Sequence, residues 1–302
     1  MKVILTGANG FVGRHLLELL ESNGLEVIPI SLTKGSSTSF SYDAFLNNKI
    51  CCANVAAFIH LAGAAHRRYT DEEAKHINFT LTKKVVDKCI ELRIPRFIFL
   101  SSSNIYKEQE SAIDLTAKVA GNLPNTAYTK LLAEDYIRSI FESQCTDSVI
   151  IRSPLIYGEH VKANFASLMK LVGKGLPLPF RLINKNKRSL VSVYNLVDLI
   201  KLCIEHPNAA NQVFLVSDDH DLSTANIVEL MATVQGKKNL ALPVPAWCFK
   251  LLGKLLNKSD VIDRLTGSLQ LDITHTKATL DWKPPYTAEH GFKLAAKTST
   301  TK

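Results

Sequence analysis

The stretch Lys2-Val3-Ile4-Leu5-Thr6-Gly7-Ala8-Asn9-Gly10-Phe11-Val12-Gly13 decides the fold. A short apolar, β-branched run ends in three glycines at GxxGxxG spacing, and a helical pattern over residues 12–23 follows at once. Strand, tight turn and helix in that order open a dinucleotide-binding unit. The glycines permit the turn and let the backbone approach a pyrophosphate, which rests on the helix N-terminus. A glycine-rich turn without a ligand is the bland alternative, and the strand–turn–helix context argues against it. Gly7, Asn9, Gly10, Phe11, Val12 and Gly13 are therefore candidate cofactor contacts.

Outward from this loop the same rhythm repeats. Buried-strand patterns at 26–30, 57–60, 96–101 and 148–152 alternate with helical patterns at 71–92 and 125–143. Near-continuous apolar strands separated by helices of more than about ten residues imply a parallel sheet covered on both faces. The expected fold class is α/β, a doubly wound parallel sheet of Rossmann-like type with a smaller C-terminal substrate lobe. Residues 1–152 are read as the dinucleotide-binding domain and 153–302 as the substrate lobe, with strands near 189–193 and 213–217 returning to the main sheet. Prolines at 177, 179, 243, 245, 284 and 285 mark the looser second half. Residues 295–302 read as a frayed polar tail. The stretch Trp247-Cys248-Phe249-Lys250-Leu251-Leu252 reads as a core helix of the small lobe, with contact to a membrane surface as the alternative.

The 302 residues are 46% hydrophobic and 21% charged, ordinary globular values that exclude disordered and collagen-like chains. No stretch approaches the roughly 20 apolar residues of a membrane span, and the first apolar run is too short for a secretory signal. The expectation is a cytoplasmic protein with no integral membrane segment. A net charge of +8 suits an anionic partner, and the absence of any long basic run gives nucleic acid little support. Six cysteines show neither a CxxC pair nor a histidine at ligand spacing, so no metal site is expected.

The end of the second strand governs cofactor choice. NAD enzymes place an acid there for the ribose 2′-hydroxyl. Here the chain runs Val27-Ile28-Pro29-Ile30-Ser31-Leu32-Thr33-Lys34, with no acid before Asp43. Ser31, Lys34 and Arg14 are candidates to receive a 2′-phosphate instead. NADP is therefore favoured over NAD.

Taken together, TGANGFVG, His60-Leu61-Ala62-Gly63, Asn78 in HINFTLT, Phe97-Ile98-Phe99-Leu100-Ser101-Ser102-Ser103 and Arg152-Ser153-Pro154-Leu155-Ile156-Tyr157-Gly158 resemble the extended short-chain dehydrogenase/reductases in order and spacing. The second half is similar to the nucleotide-sugar epimerase/dehydratase branch, and most like the bacterial UDP-4-keto-6-deoxy-N-acetylhexosamine 4-ketoreductases. The resemblance implies an NAD(P)H-dependent reductase of the C4 ketone of a UDP-linked sugar for surface polysaccharide synthesis. A UDP-hexose 4-epimerase with bound NAD is the nearest alternative. A nucleotide-sugar-binding protein with weakened catalysis is the rival from another class. A homodimer is expected by family analogy.

The resemblance also assigns residues. Ser102 matches the catalytic serine or threonine, Leu61, Ala62 and Gly63 the cofactor wall, and Lys130 the lysine that binds the nicotinamide ribose. Ser103, Asn164, Arg188 and Arg264 match the substrate side, where the planar arginine fork meets phosphate oxygens. The family's YxxxK pattern is broken: the chain reads Asn125-Thr126-Ala127-Tyr128-Thr129-Lys130. The tyrosine position is Thr126, and Tyr128 lies about 200° from Lys130 on a continuous helix. Either the helix starts after Tyr128, which then acts as proton donor, or it runs through Thr126 and a threonine fills that place. Pro124 and Asn125 make a natural helix start just before Thr126.

Overall fold

The computed structural model describes residues 1–32, 39–64, 69–109, 111–141, 146–255 and 259–299, without the side chains of residues 250, 252–255, 259–261, 264, 298 and 299. Among the described residues the strands are β1 (Lys2–Thr6), β2 (Glu26–Ser31), β3 (Phe40–Ser41), β4 (Val55–His60), β5 (Arg96–Ser102), β6 (Asp147–Ser153), β7 (Leu155–Tyr157), β8 (Leu190–Ser192) and β9 (Gln212–Leu215). The helices begin with α1 (Phe11–Ser22), α2 (Tyr42–Leu46), α3 (Asp71–Lys75), α4 (Leu81–Glu91), α5 (Asn125–Phe141) and α6 (Ala163–Gly173). They continue with α7 (Val193–Glu205), α8 (Thr224–Val234), α9 (Ala246–Leu255), α10 (Ser259–Thr266), α11 (Thr274–Leu280) and α12 (Ala288–Ser299).

Seven strands form one sheet in the order β3-β2-β1-β4-β5-β6-β9, every neighbouring pair parallel. This is the doubly wound Rossmann-like fold, and its order reverses between β1 and β4, where such sheets open a crevice at the C-terminal strand ends. Both faces are sealed. Val3, Leu5, Ile59, Ile98 and Ile151 pack with Leu16 and Leu20 of α1 and with Leu196 and Ile200 of α7. Ile4, Phe58, Phe97, Phe99 and Ile150 pack on the opposite side with Val85 of α4 and with Ile137 and Phe141 of α5. Neighbouring residues on a strand face opposite layers, so continuous apolar strands are what two helical layers require. A third core holds the second lobe, where Tyr157, Phe165, Met169, Leu190 and Phe292 meet.

Four expectations change. The stretch near 189–193 does not return to the main sheet: β8 pairs in parallel with β7 in a separate two-stranded sheet, while β9 closes the main sheet beside β6. The helix expected over 71–92 is interrupted by a π-helical turn at His76–Thr80. Most of the expected polar tail belongs to α12, because Phe292, Ala295 and Ala296 recur at helical spacing and pack into the third core. The stretch from Trp247 is a helix, α9, yet only part of it is core: Phe249 is buried while Trp247 is 66% and Leu251 54% exposed. Among the described residues no helix is long and apolar enough to cross a membrane.

Candidate functional site

The glycine loop closes on itself. Gly7 adopts φ +74°, a left-handed conformation that favours glycine, and its carbonyl accepts from Gly10 N at 2.8 Å. A Cβ on Gly13 would lie 2.0 Å from the Gly7 carbonyl oxygen, so only glycine lets the first turn of α1 come this close. Gly10 caps α1 with no side-chain hydrogen bond, and the first turn carries no acid. The amides of that turn, around Phe11 and Val12, are thus left for an anion. Arg14 folds back, its Nε donating to the Asn9 carbonyl at 3.2 Å.

Across the crevice, His60 ends β4 and ties three elements together. Thr82 Oγ1 gives its single proton to the Asn78 carbonyl (2.8 Å), so it accepts from His60 Nε2 at 3.0 Å. His60 Nδ1 then accepts from Thr6 Oγ1 at 2.8 Å. Burial, and then the charge of Lys130, push the imidazole down to about 3, so it is a neutral strut. Leu61, Ala62 and Gly63 follow it, and Ala62 N donates to Thr6 Oγ1 at 3.3 Å.

Lys130 stands where these walls meet. Its ammonium donates to the Leu100 carbonyl at the end of β5 (2.6 Å) and lies 5.3 Å from the Phe99 ring centroid. A Cβ on Gly63 would come within 3.4 Å of its Nζ, so Gly63 leaves room for the lysine. Burial pushes its pKa down to about 8, while the Glu134 carboxylate pulls the other way. Glu134 is itself fully buried and grips Arg152 through Nη2 at 2.6 Å and Nε at 3.0 Å. Arg152 also donates to the Tyr106 oxygen.

Asn78, on the π-helical turn, was not among the expected site residues, although it belongs to the HINFTLT stretch that carries the family resemblance. Its Oδ1 accepts from Ala64 N at 2.8 Å and its Nδ2 donates to Thr129 Oγ1 at 3.0 Å, joining the β4 loop to α5 beside Lys130. Single-turn π bulges often sit at functional sites. A buried amide within an otherwise amphipathic pattern was the signal that could have found it.

Ser102 closes β5, and its Oγ accepts from Asn104 N at 3.2 Å as cap of a 3₁₀ turn. Ser103, one residue on, is fully buried, and its hydroxyl has no partner among the described residues. Helix α5 begins at Asn125, and Pro124 O accepts from Ala127 N (2.9 Å) and Tyr128 N (3.0 Å). The helix therefore runs through Thr126, which is the arrangement that puts a threonine on the Lys130 face. Tyr128 is 50% exposed, and among the described residues its hydroxyl bonds neither Ser102 nor Lys130. The geometry with a helix starting after Tyr128 is not the one found.

The remaining expected residues scatter. Ser31 ends β2, its hydroxyl 3.4 Å from that of Ser39, whereas Lys34 lies outside the described residues. Asn164 is exposed in the first turn of α6. Arg188 Nη1 donates to Glu108 Oε1 (2.9 Å) and to the Gly267 carbonyl (3.2 Å). The backbone of 187–189 pairs with Leu269, so the motifs of Arg188 and Arg264 are neighbours. The Arg264 side chain lies outside the described residues.

The donors and cradle thus fit a dinucleotide: an uncapped helix N-terminus, glycines where a Cβ would clash, and a lysine at the strand ends. A model of the NAD dependent epimerase/dehydratase family matches residues 3–217. The chain belongs to that family. It is similar to a UDP-glucose 4-epimerase of Vibrio cholerae, at 43% identity over 97% of this chain and 94% of the relative. It is also similar to the N-acetyl-α-D-glucosaminyl-diphospho-ditrans,octacis-undecaprenol 4-epimerase of Escherichia coli O157:H7, at 24% identity over 96% and 92%. The fold matches the crystal structure of UDP-N-acetylglucosamine 4-epimerase from Bacillus cereus with a TM-score of 0.81, 16% identity and 99% coverage of both chains.

Proposed function

We propose that this family member is a UDP-sugar 4-epimerase that inverts C4 of a UDP-linked hexose or N-acetylhexosamine. The observation that carries the reading is the 43% identity, over 97% of the chain, to a UDP-glucose 4-epimerase. A nicotinamide dinucleotide, when bound, supplies a reversible two-electron acceptor for C4. The loop Gly7–Gly13 holds its pyrophosphate and Leu61–Gly63 line its path. Lys130 holds its ribose and, with a pKa near 8, is a group whose proton exchanges close to neutral pH. Ser102 orients the C4 oxygen and passes its proton towards Lys130. Thr126, on the same helix face as Lys130, occupies the place where a tyrosine would make this transfer fast. The buried, unpartnered Ser103 hydroxyl is available to a sugar oxygen. Arg188, Arg264 and Asn164 grip the UDP diphosphate. An inversion returns what it removes, so no reductant is consumed.

A second reading is favoured by one observation: β2 ends Pro29-Ile30-Ser31 without a carboxylate for the ribose 2′-hydroxyl. NADP specificity and a C4-ketone reductase follow from it. One experiment separates the two. The purified chain is incubated with UDP-glucose or UDP-N-acetylglucosamine without added cofactor, and C4 configuration is followed by proton NMR. Interconversion is expected. No interconversion, with oxidation of NADPH on addition of a UDP-4-keto-6-deoxy sugar, would establish the reductase. Binding of UDP-sugar with neither reaction would make the chain a binding protein.

A further inference from the structure

The basic charge of this chain is not spread evenly. Residues 161–192 hold seven lysines and arginines and no acid, and residues 230–259 hold five lysines and no acid. These two segments carry twelve positive charges against a whole-chain net of +8, so the remainder is net negative. The fold brings them together. Leu242 N donates to Leu178 O at 2.7 Å and Arg181 N donates to Leu242 O at 3.2 Å, while the Phe180 ring stacks on Phe249 of α9 at 5.8 Å. Along these joined segments Leu176, Leu182, Leu240, Leu242, Trp247 and Leu251 are exposed. Trp247 and Leu251 are four apart and lie on one side of α9. Exposed Lys174, Arg181, Lys185, Lys237 and Lys238 lie in the same segments.

Large apolar side chains left in water with a tryptophan among them, in segments that carry cations and no acid of their own, match a surface with anionic phosphates above hydrocarbon. Tryptophan settles at headgroup depth, and basic side chains gain from the negative surface potential. A nucleic acid would use the charges and leave the leucines exposed. We propose that the face formed by α9 with residues 176–182 and 237–244 docks the protein on an anionic phospholipid bilayer. Helix α9 packs on α10, which carries Arg264, so docking holds the proposed sugar-diphosphate lobe at the membrane surface.

The test uses the full chain and its own fluorescence. Trp247 and Trp282 are the two tryptophans, and Trp282 is 4% exposed, its indole bonded to Asp198, so a change in emission reports Trp247. Vesicles of phosphatidylcholine with about a third phosphatidylglycerol should pellet the protein and shift its emission to the blue, and pure phosphatidylcholine should do neither. Salt at about 0.5 M, where the Debye length is roughly 4 Å, should release it. Trp247→Ala should weaken partitioning by about tenfold, and Lys237→Glu with Lys238→Glu by at least about thirtyfold. Dinucleotide titration of each variant verifies its fold. Equal behaviour with both vesicles, or no pelleting, overturns the proposal. So does a concentration-dependent dimer abolished by Trp247→Ala, or RNA binding that Trp247→Ala leaves unchanged.

Discussion

Lys130 shows how burial sets chemistry at a single residue. Its folded pKa of about 8 lies below the ordinary 10.5, so between those values the folded protein binds fewer protons than the unfolded chain. Stability contributed by this site must therefore rise with pH across that window, with the full cost of the buried ammonium present below pH 8. Urea melts of the parent and Lys130→Met at pH 7 and pH 10 check this: the difference should move in favour of the parent at the higher pH, and a constant difference would refute it. Thr126 is the other residue that matters at this scale. A threonine hydroxyl has too high a pKa to stand in for a phenol tuned by a neighbouring ammonium. Thr126→Tyr restores YxxxK on a helix already formed at that point and should raise turnover by about tenfold or more, general acid–base catalysis being worth ~10²–10⁴-fold at full effect. Unchanged turnover with intact cofactor binding would remove position 126 from the reaction.

Between elements, the buried pair of Glu134 and Arg152 joins α5 to β6, and neither partner has water to fall back on. Glu134→Gln leaves the guanidinium uncompensated and should cost about 3–5 kcal/mol in chemical denaturation, whereas replacing both partners by apolar residues should cost much less. The sequence carried these elements well because strand and helix periods are local properties. Gly7, Gly10 and Gly13 announced a turn, and the apolar runs at 96–101 and 148–152 announced strands buried on both sides. The π-helical turn at His76–Thr80 was invisible, since one extra residue in a turn hardly disturbs the amphipathic pattern on either side of it. The pairing of Leu190–Ser192 with Leu155–Tyr157 was equally hidden, because which strands pair is settled by the packing of distant segments. The same limit applies to Glu108, whose place beside Arg188 depends on contacts far apart in the chain.

At the scale of the whole molecule, the Glu108–Arg188 pair links the loop after β5 to the second lobe. If Arg188 receives a UDP phosphate, it must exchange one anion for another. Arg188→Ala should weaken UDP binding by about tenfold or more, from the loss of a charge-assisted bond worth about 1.5–3 kcal/mol, while Glu108→Gln should tighten it. Calorimetric titration of UDP into both variants checks the pair, and equal affinities would place Arg188 outside the nucleotide site. The order of the seven-stranded sheet has a consequence for how the protein is made. β6 gains its outer neighbour only from β9, about 60 residues later in the chain. At roughly 5–20 residues per second a ribosome needs some 3–12 s to deliver that partner. During that interval Val149, Ile150 and Ile151 stand at an open sheet edge on the nascent chain, the kind of edge that recruits other strands. The interval of greatest aggregation hazard thus falls during translation, and a chaperone that covers this edge should raise the yield of folded protein more than any stabilisation of the finished sheet.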